Sequence, residues 1–145
     1  MTPITPSSPS SPSSPSSVTL IPAAPDTTAL AHFSALLSLE TDCWDVHDAT
    51  TTGRQDFVLL QTSASAESFA DEHIEGAIHL PHAQIDEQTL STWPEDTLFV
   101  VYCAGPHCNG ADRGAANIAR LGRPVKKMIG GKAGWADEGF PFVAS

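Results

Sequence analysis

Cys103, His107, Cys108 and Arg113 stand close together in the stretch Val101-Tyr102-Cys103-Ala104-Gly105-Pro106-His107-Cys108-Asn109-Gly110-Ala111-Asp112-Arg113. The reactive form of a cysteine is its thiolate. A helix N-terminus carries unpaired N–H donors and partial positive charge, so a thiolate held there is stabilised and its pKa falls below the free value of about 8.5. Cys103 has the setting for this. It follows Thr97 to Tyr102, a run apolar on both faces that reads as a central strand of a parallel sheet. Open α/β sheets place their ligands at the carboxyl ends of such strands. A turn-rich loop comes next, and then Ala115, Ile118, Ala119 and Leu121 at helical spacing, closed by Gly122. Strand, cysteine loop and helix together aim backbone N–H groups at an anion, which makes Cys103 a nucleophile at neutral pH. The alternative reading is a small buried hydrophobe at a strand end.

The elements that would position this loop are legible along the chain. Asp26 is an N-cap for a helix in which Leu30, Phe33, Leu36, Leu37 and Leu39 form an apolar face, expected to cover one side of the sheet. Cys43 to Val46 is a short strand candidate, followed by a Thr-rich connection to Gly53, and Phe57 to Leu60 is the next strand. Ala64 to Glu72 is a short helix, and His73 to Gly76 turns into Ala77-Ile78-His79-Leu80, stopped by Pro81. After the Cys103 strand and its helix, Val125 to Ile129 is a last strand before Gly130-Gly131. This alternation predicts an α/β fold, a parallel sheet with helices on both faces.

With 145 residues, 41% of them hydrophobic, the chain makes one domain with a proper core. A net charge of −10 argues against nucleic acid or an anionic membrane as partner. Three cysteines without dense spacing fit a reducing compartment, and a cytoplasmic location is expected. Residues 1 to 25 open with repeated Ser-Ser-Pro and are expected to be a disordered or extended tail, with the folded domain over 26 to 145. The tail has neither a basic n-region nor an apolar h-region, so a secretory signal is not expected. No run approaches transmembrane length.

Three segments resemble the rhodanese-like family. Glu72-His73-Ile74-Glu75-Gly76-Ala77-Ile78-His79-Leu80-Pro81 is similar to the family's Gly-His-Ile-x-Gly-Ala-x-x-x-Pro motif. Val101-Tyr102-Cys103 is similar to its active-site approach, and Met128-Ile129-Gly130-Gly131 with Trp135 and Gly139-Phe140-Pro141 to its C-terminal pattern. The resemblance implies a three-layer fold with a central, mainly parallel five-stranded sheet, and a sulfurtransferase of the thiosulfate sulfurtransferase type that needs no cofactor or metal. Cys103 would be the catalytic residue. Its thiolate would attack the outer sulfur of thiosulfate, releasing sulfite and leaving a persulfide that a thiol or cyanide then discharges. The loop Ala104, Gly105, Pro106, His107, Cys108, Asn109 and Gly110 would cradle the sulfur anions with its amides. The partners implied are a small sulfur-containing anion and a thiol acceptor.

Two features depart from the family pattern. Leu59-Leu60-Gln61-Thr62-Ser63 stands where the family commonly has Asp-x-Arg, and the cysteine loop is about three residues longer. A non-catalytic rhodanese-like binding or sensing module is therefore the alternative. Rhodanese-like phosphatases and arsenate reductases place an arginine six positions after the cysteine. Asn109 occupies that position here, and Arg113 is the side chain left to contact such a substrate. Cys108 is either a resolving thiol that attacks a Cys103 persulfide, a loop residue without chemistry, or itself the nucleophile. His107 is either an aid to the thiolate or an exposed loop residue. His79 and His82 have a His-x-x-His spacing, but no paired Cys-x-x-Cys knuckle accompanies it, so no metal site is assigned.

Overall fold

A computed structural model of the chain describes Pro3 and residues 14–145; the expected tail at 1–2 and 4–13 lies outside the described residues. The chain divides into two units, residues 1–33 and 34–145. In the first, Ser16 to Leu20 form an exposed turn closed by the Leu20 N–H on the Ser16 carbonyl at 2.9 Å. Helix α1 (Asp26–Leu39) then begins, as expected from Asp26. It buries none of its residues, contrary to the expectation that it covers the sheet. With Ala29, Ala31 and Ala35 added to its leucines, the apolar residues surround the helix axis, and the pattern specifies no single face to bury.

The second unit carries a five-stranded, wholly parallel sheet in the order β1 (Glu40–Thr41), β5 (Val125–Met128), β4 (Phe99–Tyr102), β2 (Val58–Gln61), β3 (Ile78–His79). Strand β4 lies at the centre and all four of its residues are buried. Its alternation sends Phe99, Val101 and then Cys103 to one face, where they pack with Leu60, Leu90 and the Ile118 and Ala111 of α5 (Gly110–Arg120). Val100 and Tyr102 face the other way, against Val46 of α2 (Cys43–Thr51) and Trp135 of α6 (Gly131–Asp137). Helices on both faces of a parallel sheet give the expected three layers.

The expected strand over Cys43 to Val46 is instead the start of α2. The strand is β1, just before it. Asp42 accepts a hydrogen bond from the Asp45 N–H at 2.8 Å, and this N-cap turns the chain into a helix. Cys43 and Val46, three apart, then share one buried helix face, while Trp44 between them is 60% exposed. Helix α3 (Ala66–Asp71) follows β2, capped by Ser65, and a short helix α4 (Glu87–Leu90) precedes β4. His73 holds the turn into β3, with its ring Nδ1 at 2.6 Å from the Phe69 carbonyl and its backbone paired to Val143.

Candidate active site

Cys103 is the first residue beyond β4, and the loop Cys103 to Asn109 carries the chain to the first turn of α5. Three elements hold this loop. Its own turn closes through the Cys108 N–H on the Gly105 carbonyl at 3.0 Å. The first amides of α6 donate to it, Lys132 to the Cys103 carbonyl and Ala133 to the Ala104 carbonyl, each at 2.9 Å. From the β2 side, the Thr62 hydroxyl donates to the Gly110 carbonyl at 2.9 Å. These bonds require backbone to meet backbone at Gly131, whose φ is +59° and where a Cβ would collide with the Cys103 carbonyl oxygen and lie 2.8 Å from the Gly105 nitrogen.

A cavity of about 390 Å³ opens beside the loop, lined by Cys103, Cys108, Ala111, Asp112, Lys127 and the Ile129–Gly131 turn, with Gly105 and Pro106 at its edge. The two sulfurs lie close enough for each to perturb the other's titration. The Cys103 thiol donates to the Cys108 carbonyl at 3.2 Å, and Cys103 is only 3% exposed. Burial pushes its pKa up, against the N–H groups of Ala111 and Gly105, which pull the other way. This overturns the expectation that the helix N-terminus lowers Cys103. The lowered thiol is Cys108, half-buried, whose sulfur accepts the Gly110 N–H at 3.4 Å, the chief cause of the lowering, to which Cys103, Ala104 and Ser63 add. Opposite the thiols, the Lys127 ammonium pairs with Asp112 at 2.9 Å and Glu40 at 3.8 Å. The Asp112 bond holds its pKa above the ordinary lysine range.

The model of the rhodanese-like domain matches residues 45–138. The chain belongs to that family. Among solved structures, it is similar to the BH2092 protein from Bacillus halodurans, at 33% identity over 81% of this chain and 85% of that one, with a TM-score of 0.77. A full-length protein from Lactobacillus plantarum shares the fold at 18% identity and a TM-score of 0.69, over 83% of this chain and 99% of the other. A thiosulfate sulfurtransferase from Pseudomonas aeruginosa shares it at 20% identity and a TM-score of 0.58; 80% of this chain corresponds to 21% of that larger one. No curated protein matches the chain significantly.

Of the residues singled out in the sequence, this rhodanese-like loop brings Cys103 and Cys108 together on the cavity with Gly105 and Pro106, and keeps Gly110 buried behind them. His107 is exposed and does not line the cavity, nor do Ala104 and Asn109. Arg113 is exposed too, its Nε donating to the Asn109 side chain at 3.0 Å, so it offers the cavity no charge. His79 Nε2 faces the Ser63 and Ala64 carbonyls at 3.1 and 2.9 Å. Where the family commonly carries Asp-x-Arg, this chain has a neutral arrangement: buried Gln61 donates to the Ser63 carbonyl at 3.2 Å, and Thr62 and Ser63 reach the loop by hydroxyls. Sequence reasoning missed Ser63 and Asp112 as parts of the site, and it read Lys127, with Lys126 and Lys132, as solvated surface rather than a substrate clamp, though near enough to the loop to attract thiosulfate. Only strand alternation on β5, which puts Lys127 on the α5 face, carried a signal for any of them.

Proposed function

We propose that the chain is a sulfurtransferase that moves a sulfane sulfur from a small anionic donor such as thiosulfate to a thiol or cyanide through a Cys103 persulfide. One observation carries the reading. A cysteine at the end of the central strand lines a cavity large enough for a small anion, beside the first turn of α5 and a second cysteine on the same cavity lining. Of the two thiols Cys108 gives up its proton the more readily, because the Gly110 N–H lowers its pKa while burial raises that of Cys103. As the donor enters, a Cys108 thiolate takes the proton of Cys103, and Cys103 becomes the thiolate. It attacks the outer sulfur of thiosulfate. The new S–S bond forms as the bond to the sulfonate sulfur breaks, sulfite leaves with that electron pair, and the persulfide anion remains among the loop amides. Lys127 supplies the cation on the donor's side of the cavity. Cyanide or a thiol then takes the outer sulfur and returns Cys103 to the thiolate. Among the described residues the cavity lining holds no arginine, which speaks against the phosphatase or arsenate-reductase reading with its arginine on the oxyanion.

The test is intact mass and peptide mapping after incubation of the reduced full chain with thiosulfate. Gain of one sulfur on the Cys103 peptide, lost in Cys103→Ala, is the expected result. A folded wild type that takes up no sulfur from thiosulfate or from an organic persulfide would leave the non-catalytic binding module as the better reading.

A further inference from the structure

The thiosulfate reaction needs only one sulfur nucleophile, yet the loop builds surroundings for two. Cys103 is 3% exposed, a depth that a small anion reaches through the cavity and a thiol on a folded protein does not. Cys108 lines the same cavity but is half-buried. Its sulfur accepts the Gly110 N–H at 3.4 Å, and Ala104, Ser63 and Cys103 stand near enough to favour its anionic form as well. Such a set suits an anionic sulfur. Gly110 keeps the three side chains together. A Cβ there would stand 3.0 Å from the Ser63 Cβ and 3.4 Å from both the Cys103 Cβ and the Cys108 sulfur, so a methyl would have to press Ser63 aside by a few tenths of an ångström.

We infer that Cys108 is a relay cysteine, which takes the sulfane sulfur from Cys103 and presents it to acceptor thiols too large to enter the cavity. The inference rests on the Cys103 persulfide reading. Once sulfite has left, the proton held by Cys108 returns to the outer sulfur, giving a Cys103 hydropersulfide beside a Cys108 thiolate. That thiolate attacks the outer sulfur. The bond from Cys108 to the sulfane sulfur forms as the bond from Cys103 breaks, and the electron pair departs on the Cys103 sulfur. The sulfane sulfur keeps its oxidation state, no external oxidant or reductant enters, and the loop holds one negative charge before and after. The step also leaves Cys103 as a thiolate, ready for the next donor despite its burial.

The experiment uses the full reduced chain and thiosulfate labelled in its outer sulfur, with rapid alkylation, peptide mapping and two acceptors: cyanide, and a folded protein bearing one exposed cysteine. In the wild type the label appears on Cys103 first and then on Cys108. In Cys108→Ser it stays on Cys103, and transfer to the protein thiol falls at least about tenfold further than transfer to cyanide. Ser63→Ala, which keeps both thiols, slows the second labelling more than the first, and it decides the matter if Cys108→Ser does not fold. Equal losses with the two acceptors overturn the relay, as does labelling of Cys108 in Cys103→Ala at the wild-type rate. Release of hydrosulfide with a Cys103–Cys108 disulfide overturns it in favour of a resolving thiol. A Cys103 that takes up no label in any variant overturns the sulfurtransferase reading itself.

Discussion

Replacing Gly131 by alanine tests whether the β5–α6 turn is what shapes the cysteine loop. Two costs are separable at this position. An alanine at φ +59° pays for a left-handed backbone, about 1–2 kcal/mol. Its methyl group also meets the Cys103 carbonyl oxygen, the Gly105 nitrogen at 2.8 Å and the Gly105 Cα at 3.0 Å. All three are backbone atoms, which cannot swing aside, so the loop or α6 has to move. That adds about 1–3 kcal/mol as overpacking does elsewhere. Gly122 isolates the first cost, since its φ is +75° and a Cβ there meets nothing within 4 Å. Urea denaturation of the two variants is expected to place Gly131→Ala below Gly122→Ala by about 1–3 kcal/mol, roughly 3–10 °C in Tm for a domain of this size. Movement of the Cys103 carbonyl also breaks its bond from the Lys132 N–H, so sulfur uptake from thiosulfate should fall in Gly131→Ala and persist in Gly122→Ala. Equal stability of the two variants, with uptake intact in both, would refute the claim that this contact sets the loop.

Gly114→Ala places a methyl 2.7 Å from Thr62 Cγ2 and 2.9 Å from its Cβ, and should cost about 1–3 kcal/mol in urea unfolding even though alanine is the better helix former. Iodoacetamide should modify Cys108 before Cys103, with a rate that rises through a midpoint below the ordinary cysteine range, because the Gly110 N–H lowers Cys108 while burial raises Cys103; first labelling at Cys103 near neutral pH would show the charge assignment to be wrong. Stability should decline at alkaline pH. Burial raises the buried Cys43 thiol from 9.0 to about 11 and moves the Tyr102 phenol upward as well. The unfolded chain therefore loses these protons first, and the folded state is disfavoured as pH climbs from about 9 towards 11. Cys43→Ala should flatten that part of a Tm-against-pH curve, and a slope unchanged by the substitution would remove Cys43 as its cause.

Much of the fold was legible because its central elements are unambiguous in pattern. Strand β4 is apolar on both faces, which only a central strand buries, and α5 follows with a stripe at helical spacing and a glycine stop. Cys43-Trp44-Asp45-Val46 went astray because four residues with apolar ends satisfy a helix as well as a strand. The decision fell to one capping bond from Asp42, whose strength depends on where the preceding strand ends. Helix α1 was found but not its exposure, since apolar residues on every side give periodicity nothing to orient.

The site divides along the same physical line. Local order along the chain was enough to put Cys103 at a strand end and Cys108 in the loop beside it. Which thiol carries the charge is a matter of desolvation and of donors brought from elsewhere. Ser63 reaches Cys108 from the end of β2, and Leu60, Val101 and Ile118 exclude water around Cys103. The local argument credited the helix N-terminus to Cys103 alone. In the folded loop that N-terminus serves both sulfurs: the Gly110 N–H donates to Cys108, and the nearby Ala111 N–H pulls the Cys103 pKa down. Burial then decides between them, because removing water costs the thiolate more than one amide returns. A buried thiol and a half-exposed neighbour that ionises more readily are thus one arrangement. In the proposed reaction, depth would restrict Cys103 to small donors and Cys108 would take the proton that Cys103 has to lose.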